Sequence, residues 1–437
     1  MNLVTRLETV NEAGDHDWVM LGRSQTICGI RQQRGRTTGA TDRKTMPDKA
    51  KQLLKPAKRS DVPPFLVMDV MAAAAQREAQ GAHIIHMEVG QPAAPAPTTA
   101  IKAAQAALAH GRIGYTETLG IPSLRARIAR HYQDAYGLAL DPARVVVTTG
   151  SSGGFILAFL SLFEPGDRVA LANPGYPPYR HILSALGCEP VLIDTSAQTR
   201  WALSPKALIA AHQRTPLKGV VIASPANPTG TMMDADALSR LISVAEAEGI
   251  RVISDEIYHG LEYEVEAETA LAHSDEAIVV NSFSKYFSMT GWRIGWLVVP
   301  EALVRPIERL SQNLYISPPA ISQVAALGAF DGIEELEAIK SSYARNRAML
   351  LEELPRAGLS SILPADGAFY LYADVSRFTP DSGAFAKTML KDIGVAVTPG
   401  IDFDPDRGRS YIRFCYAGPE ARMREAARRI NGWLKGK

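Results

Sequence analysis

Between Arg144 and Val299 short apolar runs alternate with longer stretches of helical spacing. The runs are Val145–Thr148, Val169–Ala172, Val191–Ile193, Gly219–Ile222, Val252–Ser254, Ile278–Asn281 and Ile294–Val299. They are continuous rather than alternating, as expected of strands covered on both faces. Helical spacing fills gaps at Phe155–Phe163, Pro178–Leu186 and Ala235–Glu248. Strand, turn and helix repeated in this way predict an α/β fold built on a mostly parallel, seven-stranded sheet with helices on both faces.

Outside that block the pattern changes. Upstream, Phe65, Val67, Met68, Val70 and Met71 recur at helical spacing and lead to Gly81, a fitting stop. The run His83–Val89 predicts a strand ending at Gly90-Gln91-Pro92, followed by helices near Thr98–His110 and Ser123–Tyr136. Downstream, helices are predicted near Glu301–Gln312, Ala320–Phe330 and Glu334–Glu353. Shorter strands near Phe369–Ala373, Val395–Val397 and Tyr411–Cys415 then alternate with helices near Gly383–Asp392 and Pro419–Leu434. This is the grammar of a smaller α+β domain over 321–437, joined by the segment 61–90, with 91–320 forming the larger domain. Residues 1–60 hold no sustained apolar period and read as a disordered extension, with Met46 an alternative initiator.

Composition narrows the classes. Among 437 residues, 47 Lys and Arg stand against 46 Asp and Glu, so no basic excess points to nucleic acid or an anionic membrane. The longest apolar stretch, near Phe155–Phe163, falls well short of the ~20 residues needed to span a bilayer. Glu8, Glu12, Asp15 and Asp17 interrupt any signal-peptide core. Cys28, Cys188 and Cys415 lie too far apart for a disulfide framework or a compact zinc site, which fits a cytoplasmic protein. No His spacing such as His-Glu-x-x-His occurs, so no metal is expected. The arginines Arg422, Arg424, Arg428 and Arg429 read as the solvated face of a terminal helix.

Four polar segments close apolar runs, where loops at the carboxyl edge of a parallel sheet form binding crevices. They are Thr149-Gly150-Ser151-Ser152-Gly153-Gly154, Ser224-Pro225-Ala226-Asn227-Pro228-Thr229-Gly230, Ser254-Asp255-Glu256-Ile257-Tyr258, and Ser282-Phe283-Ser284-Lys285, the last followed by Met289-Thr290-Gly291-Trp292-Arg293-Ile294-Gly295. The Gly/Ser segment opens a helix directly after a strand, a place suited to an anion. Asp255 ends an apolar strand, where a carboxylate needs a cation or solvent. Lys285 follows another such strand, where desolvation lowers an amine's pKa and makes it a nucleophile. Singly, each segment reads more simply as a tight turn, a surface pair or a solvated loop.

Taken in order, Asn-Pro-x-Gly, Asp-Glu-x-Tyr, Ser-x-Ser-Lys and Gly-x-Arg-x-Gly resemble the class I/II pyridoxal 5'-phosphate (PLP) aminotransferases of fold type I, from about Asp61 to the C-terminus. The resemblance implies PLP as cofactor, held by Lys285, which also serves as the base for the substrate α-proton. It implies Asp255 facing the pyridine nitrogen, and Asn227 and Tyr258 as donors to the ring's phenolic oxygen. Arg293 with Ser282 and Ser284 would clamp the phosphate, completed by Ser151 and Ser152. Tyr176 would stack on the ring. Arg413, between apolar neighbours on a late strand, would grip the substrate α-carboxylate, with Gly90 and Asn227 beside it. Tyr115 resembles a tyrosine lent to the neighbouring subunit's phosphate, which implies a homodimer.

Two departures stand out. The family often places an acidic residue, Pro, Asp and Phe after the glycine at position 90, where this chain reads Gln91-Pro92-Ala93-Ala94. Gly153-Gly154 replaces the Gln, Glu or Ala usual in the phosphate cup. The implied activity is transfer of an amino group from an L-amino acid, aspartate or another common one, to a 2-oxo acid such as 2-oxoglutarate, by a ping-pong cycle. The same scaffold also supports a carbon–sulfur β-lyase or a ring-forming synthase. A transcription regulator with an aminotransferase-like domain would need a winged helix before it, for which residues 1–60 are too short and aperiodic.

Overall fold

The structure is a computed structural model and describes residues 55–436, apart from residue 112. Most of the stretch expected to be disordered, residues 1–54, lies outside the described residues. Within its last part, Lys58–Ser60 form a 3₁₀ turn, with the Ser60 hydroxyl donating to the Ala57 carbonyl.

Seven strands form the main sheet, in the order Val145–Thr148, Gly295–Val298, Ile278–Ser282, Arg251–Asp255, Gly219–Ala223, Arg168–Asn173 and Glu189–Asp194. All pairings are parallel except those of Gly295–Val298, which runs against both of its neighbours. Consecutive residues of one strand enter opposite cores. Val145, Val147, Val220, Ile222, Val252, Val279 and Trp296 pack into one cluster. Val146, Val169, Val221, Ile253, Val280 and Leu297 pack into another. Burial on both faces is why these strands read as unbroken apolar runs. One face is covered by Phe155 and Phe159 of helix Gly150–Leu162, Leu183 of Pro177–Ala185, and Ile307 of Glu301–Leu314. The other is covered by Leu124 and Ile128 of Pro122–Tyr136, Leu208 of Pro205–Arg214, and Leu238 and Leu241 of Ala235–Ala247.

The register fixes one edge of this sheet. Ala223 pairs with Asp255, Asp255 with Val280, and both Ser282 and Thr148 with Gly295. The chain therefore leaves the strands at Thr148, Ala223, Asp255 and Ser282, and enters one at Gly295, along a single line. Each polar segment singled out in the sequence begins or ends there.

A second, antiparallel sheet joins Thr398–Pro399, Tyr411–Cys415 and Tyr370–Asp374, with Arg413 opposite Tyr372 on one side and Thr398 on the other. The expected strand His83–Val89 is shorter. Only Ile85–His86 pairs, in parallel with Val395–Ala396. The Met87 carbonyl still accepts from Cys415 N at 2.7 Å, but the Glu88 carbonyl turns to the Arg413 guanidinium and leaves the ladder. The expected strand Val395–Val397 is likewise shorter: Val395–Ala396 pair in the two-stranded sheet, and after Val397 the chain enters the antiparallel sheet at Thr398–Pro399. Helix Pro205–Arg214 escaped the sequence reading, although Ser204 caps Ala207 N and Pro205 occupies the first turn.

The C-terminal arginines need a correction. Arg424 and Arg428 pair with Glu420 and Glu425 at the surface, as a solvated face would. Arg422 instead donates to the Ile84 carbonyl at 3.1 Å, and Arg429 to the Ile393 and His83 carbonyls at 2.9 and 3.1 Å. These two arginines satisfy backbone acceptors beside the short parallel pair, where among the described residues no further strand supplies donors.

Candidate active site

The loops at the carboxyl edge open into one cavity of about 510 Å³. Of the residues named from sequence, it is lined by Gly90, Ser151, Ser152, Tyr176, Asn227 and Asp255, and also by Tyr258, Ser284, Lys285, Arg293 and Arg413. Two named residues lie elsewhere. Ser282 is buried behind the wall, where its hydroxyl accepts from Ser284 N at 3.1 Å and shapes the loop rather than lining the space. Tyr115 is 82% exposed on the outer surface of the chain.

Lys285 follows the strand Ile278–Ser282, and its Nζ donates to the Gly90 carbonyl at 2.6 Å. Burial, with the charges of Arg413 and Arg293, pulls its pKa down from 10.5 to about 8. The neutral amine fraction near neutral pH is thereby far larger than that of a solvated lysine, which suits a nucleophile and base.

Asp255 ends its strand almost fully buried. It accepts a hydrogen bond from the Tyr179 hydroxyl on Oδ2 and from Ile257 N at 3.2 Å on Oδ1. Burial raises its pKa from 3.8 to about 6, opposed by those two hydrogen bonds and by Lys285. Such a carboxylate is a ready partner for a cationic ring nitrogen brought into the cavity. Tyr176 stands at the start of helix Pro177–Ala185, edge-on to Phe65 and Tyr179, and burial raises its phenol to about 12.

At the other end, helix Gly150–Leu162 starts with no side-chain cap, so its first N–H groups are unclaimed by a capping side chain. Gly150 has φ +77°, and a Cβ there would lie 2.6 Å from the Arg293 guanidinium, so glycine lets the guanidinium sit against the helix start. Arg293 is itself held by a bond from Nη1 to the Thr290 carbonyl at 2.9 Å. A helix N-terminus, an arginine and the Ser284 hydroxyl together make an anion cradle.

Arg413 is 1% exposed. Its Nη1 donates to Asn227 Oδ1 at 2.8 Å, and its Nη2 to the Glu88 carbonyl and to Thr398 Oγ1. Its guanidinium lies 4.4 Å from the Tyr370 ring centroid and 4.8 Å from that of Phe403. Among the described residues Nε has no hydrogen-bond partner, although it is buried. A buried arginine on neutral partners is half-satisfied, and an anion in the adjoining cavity completes it.

Three contributors were not visible in the sequence. Tyr179 supports Asp255, and Tyr370 meets Tyr258 hydroxyl to hydroxyl at 2.7 Å. Phe65, Val67, Met68 and Met71, at and within helix Leu66–Glu78, give the cavity an apolar wall. The 65–71 periodicity announced a helix but not what it would face.

An anion cradle, a poised amine and a carboxylate facing a common space fit PLP by their chemistry. Comparison with known proteins agrees. Residues 82–430 match the family described as Aminotransferase class I and II. The chain is 52% identical to the valine–pyruvate aminotransferase of Mycobacterium tuberculosis over 382 residues, covering 86% of this chain and 98% of that protein. It is 35% identical over 376 residues to the (5-formylfuran-3-yl)methyl phosphate transaminase of Methanocaldococcus jannaschii, covering 85% and 96%. The crystal structure of an aminotransferase from Mycobacterium tuberculosis superposes with a TM-score of 0.85 at 51% identity, covering 88% of this chain and all of that one. With its mixed sheet, its cavity at the strand ends and these relatives, the chain belongs to the class I and II aminotransferases, enzymes that depend on PLP.

Proposed function

We propose that the chain holds PLP in this cavity and moves the amino group of a short apolar L-amino acid, valine first among candidates, to a 2-oxo acid such as pyruvate. One observation supports that choice above others. Among the described residues lining the cavity, the cationic side chains are Lys285, Arg293 and Arg413, and the wall from the 66–78 helix is apolar. With Lys285 taken by the cofactor aldehyde, Arg293 by its phosphate and Arg413 by the substrate α-carboxylate, this chain leaves, among the described residues, no lining cation for the distal carboxylate of aspartate or 2-oxoglutarate. The name of the 52% identical relative points the same way.

In this reading Arg293, Ser284 and the start of the 150–162 helix hold the phosphate, with Ser282 shaping their loop. Asp255 would face the pyridine nitrogen, Tyr258 and Asn227 would donate to the phenolic oxygen, and Tyr176 would cover the ring. Arg413 forks onto the substrate α-carboxylate beside Gly90 and Asn227, orienting the α-carbon. Bound PLP supplies the electron sink that makes the α-proton acidic. Lys285 Nζ, set free when the substrate amine arrives, takes that proton from the α-carbon.

The reading extends to a cytoplasmic homodimer in which Tyr115 reaches the second copy's phosphate site. Tyr115 and Ile113 are exposed, as are Ile316 and Leu314, and Thr116 N donates to Ser317 Oγ at 3.4 Å, which joins the two segments that carry them. Such an apolar group is what a partner surface would cover. Residues 91–320 are read as the cofactor domain, and 321–437 with 61–90 as the smaller one. Among the described residues no helix is long and apolar enough to cross a membrane.

The test is the visible spectrum of PLP-loaded protein titrated with single L-amino acids and no oxo acid. Valine or alanine should convert the band of the lysine-bound cofactor to that of its aminated form, with one equivalent of oxo acid released, at lower concentration than aspartate. Preference for aspartate would overturn the substrate choice, and catalytic release of ammonia would indicate a lyase. Light scattering on the same sample should return twice the mass of one chain.

A further inference from the structure

Tyr258 and Tyr370 come from different sheets. Tyr258 lies in the turn after strand Arg251–Asp255, and Tyr370 opens strand Tyr370–Asp374 of the antiparallel sheet. Both are buried, both line the cavity, and their rings meet edge to face at 5.6 Å. Their hydroxyls are 2.7 Å apart.

Packing alone does not call for the second hydroxyl. The Tyr370 ring supports the Arg413 guanidinium with its face, a contact phenylalanine would also provide. Burying a phenolic oxygen is costly without a hydrogen bond, and Tyr258 provides the one recorded for Tyr370. The hydroxyl even imposes a restriction, because a Cβ at Gly90 would collide with it. Each phenol has one proton to give. If Tyr258 gave its proton to Tyr370, it would have none for a ligand. If Tyr370 gives, the Tyr258 proton is directed into the cavity and Tyr258 becomes a stronger donor, since hydrogen bonds in a chain polarise one another.

We propose that Tyr370 is a positioning residue for the transamination: its hydroxyl donates to Tyr258, aiming and strengthening the Tyr258 hydrogen bond to the phenolic oxygen of the cofactor. The inference rests on the reading that Tyr258 faces that oxygen. A stronger donor favours the deprotonated form of the bound chromophore, so it lowers the pH at which the visible absorbance changes.

The test is a spectrophotometric pH titration of PLP-loaded protein, without substrate, for the parent, Tyr258→Phe, Tyr370→Phe and the double variant. Thermal unfolding and, separately, steady-state kinetics with the amino acid are run alongside. The midpoint should rise by about half a unit in Tyr370→Phe and by more in Tyr258→Phe. The double variant should match Tyr258→Phe, because Tyr370 acts through Tyr258. A shift in Tyr258→Phe with none in Tyr370→Phe would overturn the proposal and leave the cofactor reading standing. Additive shifts would overturn it too, as would a higher KM for the amino acid with an unmoved midpoint, which would make Tyr370 a support for Arg413 alone. No shift in Tyr258→Phe would overturn the reading of Tyr258 itself, and this inference with it.

Discussion

The Tyr179 hydroxyl donates to Asp255 Oδ2 on the cavity floor, giving the carboxylate a neutral partner rather than a cation. The arrangement leaves Asp255 short of countercharge until a ligand supplies it, and that shortage is measurable.

Burial lifts Asp255 from 3.8 to about 6. A carboxyl whose folded pKa exceeds its unfolded one contributes stability only at low pH. The cofactor-free protein should therefore lose stability as pH rises from about 4 to about 6, by roughly 2 kcal/mol. Asp255→Asn removes the charge and keeps an acceptor for Ile257 N. The cofactor-free variant should melt roughly 3 °C higher than its parent at pH 7 while losing activity. A lower melting temperature would show that Asp255 is not an undercompensated charge.

Lys285 is pulled down to about 8 by burial and by the nearby arginines, and only the neutral amine attacks the aldehyde of PLP. Cofactor uptake by the cofactor-free protein, followed by stopped-flow absorbance, should speed up about tenfold per pH unit and level off near pH 8. A rate still climbing at pH 10 would mean a solvated amine. After borohydride reduction, mass spectrometry should find the cofactor on the parent's Lys285 peptide and nothing on Lys285→Ala, whose turnover should fall at least ~10⁴-fold.

Arg413→Lys keeps the charge but loses the planar fork that holds Asn227, Thr398 and the Glu88 carbonyl together. KM for the amino acid should rise roughly 10- to 100-fold, with the cofactor spectrum unchanged. An unchanged KM would remove Arg413 from substrate binding.

Gly90→Ala sets a methyl group against the Tyr370 hydroxyl and ring carbons. Because the Gly90 carbonyl holds Lys285 Nζ, the displacement should reach the amine. Calorimetry should show a loss of about 1–3 kcal/mol, and kcat/KM should drop at least ~10-fold. Parent-like behaviour on both counts would mean the 88–91 segment can give way.

Strand ends explain what could be read from the chain. Asn227, Asp255, Lys285 and Arg293 are each within a few residues of an unbroken apolar run, so pattern and chemistry mark the same places. Tyr179 and Tyr370 lack that local mark. Their partners, Asp255 and Tyr258, are 76 and 112 residues away; the packing of helix Pro177–Ala185 on the main sheet makes the first contact, and the meeting of the two sheets makes the second. The strand at His83–Val89 was drawn too long because an apolar run does not reveal that the Glu88 carbonyl is claimed by a guanidinium over 300 residues later. Arg422 and Arg429 failed similarly, since charge in the sequence does not tell solvent from a backbone acceptor.

The reversed direction of Gly295–Val298 has a mechanical consequence. Because that strand runs back beside Ile278–Ser282, the segment 283–294 starts and finishes at the same rim, pinned by Met289 N to the Phe283 carbonyl and by Thr290 Oγ1 to the Ser284 carbonyl. In the proposed reading, Lys285 as the anchor for the aldehyde carbon and Arg293 as the anchor for the phosphate are thus two points on one short, braced hoop. Lengthening that hoop by a residue would put both out of gauge together. The 65–71 wall and Gln91 line the same cavity but belong to other parts of the chain, so a substitution there changes the lining while the hoop keeps its span.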